Sequence, residues 1–263
     1  MNRKKISKLN LSIPPCETID EVIDRLDGII AACILAHNRL GYFAVLYREV
    51  TLRVREGIAN GRFENGPRME RLDVVFANRY FAALDSYLRG EACAQCWSVA
   101  FHAAHRRPPI IFQHLLLGMN AHINLDLAVA AIQTVPREDL AGLKRDFFEI
   151  TVLLDELIDE IQGRIERVSP WIAILDRVGG RTDEQICAFA IAEARQLAWR
   201  EAEQLARLTP EELEREIASH DRVVATLGHG IRSPGPLINL GLRLIRVRET
   251  RPVPKIIAAL QTR

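Results

Sequence analysis

The stretch from Pro108 to Val135 constrains the fold most, because only one of its residues, Asp126, carries a formal charge. The pair Pro108-Pro109 stops any helix running in from the N-terminal side, since proline lacks an N–H and its ring clashes with the preceding turn. Beyond it, Leu, Ala, Met and Gln are good helix formers, so the sequence predicts a helix over 109–135. A surface helix carries charge on its solvent side, and one without charge belongs inside a ring of other helices. The chain therefore reads as an all-α bundle assembled around this central helix.

The remaining sequence supplies the surrounding helices. Over 18–36, Ile19, Val22, Ile23, Leu26, Ile29 and Ile30 recur at helical spacing, and over 41–60 Phe43, Leu46, Val50, Val54 and Ile58 do the same. Further helices are predicted over 68–89, 92–106, 138–168, 183–208, 211–227 and 237–248, with Gly90, Ser169-Pro170, Gly179-Gly180 and Ser233-Pro234-Gly235-Pro236 as breaks. Thr182 with Gln185, and Thr209 with Glu212, have the spacing of capping boxes. The count is nine or ten helices in a single compact domain over 1–263, with 1–15 and 249–263 peripheral and the basic tail from Glu249 fraying. Strand patterns are nearly absent, and there is no internal repeat.

With 35 Lys plus Arg against 34 Asp plus Glu, the net charge is +1, which gives no positive field for nucleic acid or an anionic membrane. The short basic start leads into 9–15 rather than an apolar signal core, and the apolar run 29–36 is too short to span a bilayer. A cytoplasmic location is expected, with Cys16, Cys33, Cys93, Cys96 and Cys187 as reduced thiols.

On an enclosed helix, polar residues are the informative ones. At helical spacing Gln113, Asn120 and Asn124 share one stripe, Gly118, His122 and Asp126 form a second line, and His114 lies off both. Burying such groups without partners costs about 1–3 kcal/mol each, more for a charge. The set implies either a satisfied internal network or the wall of a polar cavity. His122 and Asp126, four residues apart, can meet. A carboxylate on one ring nitrogen fixes the tautomer and raises the basicity of the other, as a general base requires. The alternative is a buried pair that ties helices together. Gly118, one turn earlier, admits either a ligand or a closely packed helix.

The strings Arg68-Met69-Glu70-Arg71-Leu72-Asp73 through Asn78-Arg79-Tyr80, and Gly118-Met119-Asn120-Ala121-His122-Ile123-Asn124-Leu125-Asp126, resemble an uncharacterised bacterial family known as a domain of unknown function. Ser169-Pro170-Trp171, Gly180-Arg181, Ala194-Arg195 and Ala198-Trp199 are similar to its later segments, so the likeness covers most of the chain. It implies a shared helical fold and supplies no activity. The chain departs from the family pattern at Ala190, where a serine is expected, and at Leu125, where a polar residue is expected. The first string adds Asp73, which precedes Val74-Val75-Phe76 and can be drawn inward, and Asn78. A salt bridge from Asp73 to an arginine such as Arg195 is its structural alternative.

Other signals are weaker. Cys93-x-x-Cys96 before His102-x-x-His105 is too tightly spaced for a zinc finger. Asp155-Glu156 and Asp159-Glu160 have the spacing of a magnesium–diphosphate motif, but Arg164 and Arg167 follow them, and a solvated face of ion pairs explains them. His229, between two glycines and before Arg232, is placed in a loop that either folds over a pocket or caps a helix.

The reading that follows is an enzyme acting on a small, largely apolar molecule in a pocket between helices. His122, held by Asp126, is the general acid/base with His114 nearby; Asn120, Asn124, Asp73, Asn78, His229 and Arg232 contact the substrate. One rival is a non-catalytic ligand-binding or scaffold protein with a buried polar network. A third reading places a divalent metal on His114, His122, Asp126 and His229. The expected partner is a small molecule, with no nucleic acid and no membrane; the oligomeric state is open.

Overall fold

The computed structural model describes residue 9 and residues 11–106, 109–169, 183–249 and 252–261; the side chains of 158, 159, 183–190 and 237 are not among the described atoms. Among these residues the chain is all-helical, with eleven α-helices and no strand, in one compact domain. The helices are α1 (Ile19–Leu35), α2 (Gly41–Ala59), α3 (Gly66–Arg89), α4 (Gln95–Ala104), α5 (Ile111–Ala121), α6 (Leu127–Thr134), α7 (Leu140–Val168), α8 (Asp183–Leu205), α9 (Pro210–Arg232), α10 (Pro236–Arg248) and α11 (Val253–Gln261). A π-helical turn, His122–Asp126, joins α5 to α6, so the central helix is continuous over Ile111–Thr134.

By length and composition this helix could cross a membrane, but most of it is buried in the bundle. α2, α4 and α9 pack on α5, and α3 and α8 pack on α6. Close approach is possible because Gly118 leaves room: a Cβ there would collide with the Phe43 ring of α2. Helix packing, the second of the two uses expected of this glycine, is what it serves. Two large apolar clusters meet along the central helix. Leu115, Leu117 and Leu125 belong to one, with Phe43, Tyr80 and Trp97; Leu127 and Val129 belong to the other, with Met69, Phe147 and Trp199. The boundary between them falls at the π turn.

The helix ends follow from their caps. Thr18 accepts from Glu21 N–H at α1, Asn65 from Arg68 N–H at α3, and Gly90 closes α3 in the left-handed conformation at φ 77°. The Thr209–Glu212 capping box forms; the Thr182–Gln185 box lies outside the described residues.

Three expectations are corrected. α9 does not stop at 227 but runs to Arg232, so His229 sits on a helix rather than in a loop. Gly228 lets this helix approach the central one, a Cβ there lying 3.4 Å from Asn120 Nδ2, and Gln113 Nε2 donates to the Ile231 carbonyl at 2.7 Å, satisfying an end that glycines would otherwise leave open. The described part of the tail, 252–261, is not frayed either. Val253, Ile256, Ile257 and Leu260 form a buried stripe that docks α11 on α1, α2 and α7. Glu249 accepts from Ile111 N–H at 3.1 Å, placing a carboxylate at the N-terminus of the central helix where its dipole favours one. At the other end Leu9, Ile13 and Cys16 join the core, so the chain before α1 is not wholly peripheral.

Candidate functional site

His122 opens the π turn, and its ring is stacked flat on Phe76 at 3.5 Å between centroids, with Tyr47 edge-on at 4.5 Å. Its Nδ1 lies 3.3 Å from Asp126 Oδ2. The same carboxylate accepts from Trp97 Nε1 at 2.8 Å and Arg79 Nε at 3.0 Å, so it acts as an acceptor on every side and Nδ1 carries the imidazole proton. Burial pushes the His122 pKa below the usual imidazole value, the bond and charge of Asp126 opposing it. The ring is therefore neutral near pH 7, with Nε2 the basic nitrogen. That Nε2 is buried and has no hydrogen-bond partner.

Residues four apart on a helix lie on neighbouring directions, which brings the His122 and Asp126 side chains together. A π turn is the kind of local irregularity that recurs at functional sites.

The His122 ring borders a cavity of about 510 Å³ at the junction of the two apolar clusters. That is within the roughly 300–1,000 Å³ of small-molecule sites. Aliphatic and aromatic side chains from α2, α3, α5, α7 and α8 make most of its wall. Two further lining groups have an unpartnered buried atom, Tyr47 Oη and Asp73 Oδ2. Burial, with a smaller contribution from the charge of Glu70, pushes the Asp73 carboxyl up to about 8. Asp73 is thus a neutral acid at pH 7 that can donate a proton or a hydrogen bond. Tyr47, likewise fully buried, is pushed well above its ordinary value and stays a phenol. The wall also includes Arg195, whose charge neither Asp73 nor any other described carboxylate pairs. The Asp73–Arg195 salt bridge is not formed.

The remaining expected site residues divide clearly. Asn120 and Asn124 border the cavity, but their amides are engaged: Asn120 Nδ2 donates to the Val224 carbonyl at 3.0 Å and Asn124 Nδ2 to Asn120 Oδ1 at 3.0 Å. Asn120 and Gln113 thus stitch the central helix to α9, and Asn124 braces Asn120. Asn78 bonds both Cys16 N–H and Cys16 O at 2.8 Å, pinning the segment before α1 instead of meeting a substrate. His114 packs edge-on against Tyr42 and is absent from the cavity wall, its pKa lowered to about 3 chiefly by burial. His229 and Arg232 line a different groove, between α3, α4 and α9, with Cys93 and His102. The four residues proposed for a metal do not converge, and no cluster of three or more His, Cys, Asp or Glu poised to hold a metal occurs among the described residues.

Of the weaker motifs, Cys93 and Cys96 are free thiols. Glu156 is held by both Arg62 terminal nitrogens at 2.8 Å, and Glu160 by Arg53 at 3.0 Å, as a charged face of ion pairs predicts.

Sequence reading missed Arg79 and Trp97, which hold Asp126, and Phe43, Tyr47 and Phe76, which cage the imidazole. Phe43 and Tyr47 stand at i and i+4 on one face of α2, a visible aromatic pair, and Arg79 stands inside the family-like string. Nothing local points from Trp97 to Asp126.

Together these features define an all-helical bundle with an apolar cavity between its helices and a buried, carboxylate-held imidazole on the wall. Residues 19–234 match a family described as a family of unknown function (DUF5995), and the chain belongs to it. No curated protein and no solved structure matches the chain.

Proposed function

We infer that the protein is an enzyme acting on a small, largely apolar molecule taken into this cavity, with His122 as general base. The observation that carries the reading is His122 Nε2: a neutral, basic nitrogen with no partner, on a ring fixed by Asp126 and bordering a void. Leaving a buried acceptor unpaired costs about 1–3 kcal/mol; His114 Nε2 is unpaired as well, and what sets His122 apart is that its ring is carboxylate-held and borders the cavity. Asp126 orients the ring and stabilises the imidazolium formed when Nε2 takes a proton; Arg79 and Trp97 hold Asp126 in turn. Asp73 and the Tyr47 hydroxyl supply neutral donors for a substrate oxygen, and the water-poor wall strengthens both.

The rival of a purely structural polar network accounts for Gln113, Asn120 and Asn124, each bonded to its neighbours. It leaves His122, Asp73 and Tyr47 unexplained.

The test is untargeted turnover. Wild-type protein and His122→Gln are incubated with an apolar metabolite extract, and compounds consumed are followed by mass spectrometry. Compounds depleted by wild type and spared by a variant that still folds support the base. Equal depletion by both, or none by either, rejects it.

A further inference from the structure

Arg195 is the one group on the cavity wall charged near pH 7 among the described residues: burial lowers its pKa to about 9, which leaves it a cation, whereas His122 and Asp73 are both neutral there. It projects from α8, is only 3% exposed, and is held on one side: Nε donates to Thr151 Oγ1 at 2.9 Å and Nη2 to the Phe147 carbonyl. Its guanidinium carbon lies 4.6 Å from the centroid of the Phe147 ring. Those contacts orient the cation without neutralising it, and no hydrogen bond reaches Nη1 among the described residues. A buried guanidinium is retained where an anion meets it, because an uncompensated charge in a low-dielectric site is costly.

We propose that the cavity takes an amphiphilic monocarboxylic acid, its carboxylate on the free edge of Arg195 and its hydrocarbon chain along the apolar wall toward His122. The assignment rests on the cavity being a ligand site, as the proposed function requires. Guanidinium geometry matches a planar carboxylate, and one cation balances one negative charge. A phosphate monoester would bring a second charge that no other lining cation meets. The alcohol or ester of the same chain would leave Arg195 unpaired.

The probes are dodecanoate, dodecanol and dodecyl phosphate, each competing with Nile red bound to the full-length protein near pH 7. Dodecanoate should displace the dye from wild type at a concentration about tenfold to a hundredfold below that needed for dodecanol, the range of a charge-assisted hydrogen bond. In Arg195→Gln that preference should collapse while dodecanol is unchanged. The wild-type comparison stands even if the variant fails to fold. Equal displacement by acid and alcohol overturns the proposal, tighter displacement by the phosphate overturns the choice of head group, and no displacement by any probe overturns the cavity as its site. His122→Gln should keep the acid preference. Loss of the preference with His122-dependent turnover intact removes this inference alone, whereas preference without such turnover removes only the general base.

Discussion

Asp73 offers the most direct measurement, because its burial ties folding stability to pH in a direction opposite to most carboxylates. The group moves from 3.8 in the free side chain to about 8 in the fold, mainly through desolvation. Between those values the folded chain binds a proton that the unfolded chain has released. The unfolded state then holds one proton fewer, and the stability contribution of this group falls as pH rises, by about 1.4 kcal/mol per pH unit. From pH 4 to pH 8 the loss is on the order of 5 kcal/mol, a large share of the roughly 5–15 kcal/mol that stabilises a typical domain. His122 and His114, whose pKa values burial lowers, act in the other sense below about pH 6.5, so the wild-type curve alone mixes the effects. Asp73→Asn removes one titration and leaves the others. Urea unfolding of both proteins at intervals from pH 4 to pH 9 should show the variant gaining on wild type steadily up to about pH 8 and then levelling. The slope is the test, since any packing cost of the amide is independent of pH. A stability difference that stays flat across this range would mean that Asp73 is ionised in the fold, and the picture of a neutral acid in an apolar cavity would be wrong.

Three further outcomes follow from the same geometry. Asp126→Asn should lower the His122 pKa further, because it removes the bond and charge that oppose burial; an NMR titration of the imidazole nitrogens that shows no downward shift would contradict this. Gly118→Ala should destabilise by about 1–3 kcal/mol despite the better helix propensity of alanine, since the new methyl group meets Phe43, and denaturant midpoints at constant slope will show it. Ile257→Ala should cost about 2–4 kcal/mol, because the side chain is fully buried against α2, whereas a frayed tail would register almost nothing in thermal unfolding.

Much of the bundle was legible because helical periodicity is a local record. The enclosed helix over 109–135, the capped start at Thr209, and the His122–Asp126 pair each follow from residues a few positions apart. The errors fell where long-range contacts override local signals. Gly228 and Gly230 read as a loop, yet Gln113, more than a hundred residues away, supplies the acceptor's partner that lets α9 continue to Arg232. The tail read as fraying because its basic residues outweighed a four-residue apolar stripe whose docking site on α2 no local pattern shows.

For the site, the sequence by itself determined that an imidazole and a carboxylate would share one face of a buried helix, because spacing along a helix fixes direction. Only the tertiary structure decided which polar groups are satisfied and which keep a buried atom without a partner on residues that border the cavity. Asn120 and Asn124 found partners in reach, while His122, Asp73 and Tyr47 each kept one atom without any. A cavity is space that neighbouring helices fail to fill, so it depends on how α2, α3, α7 and α8 lie against one another, and no single segment encodes that.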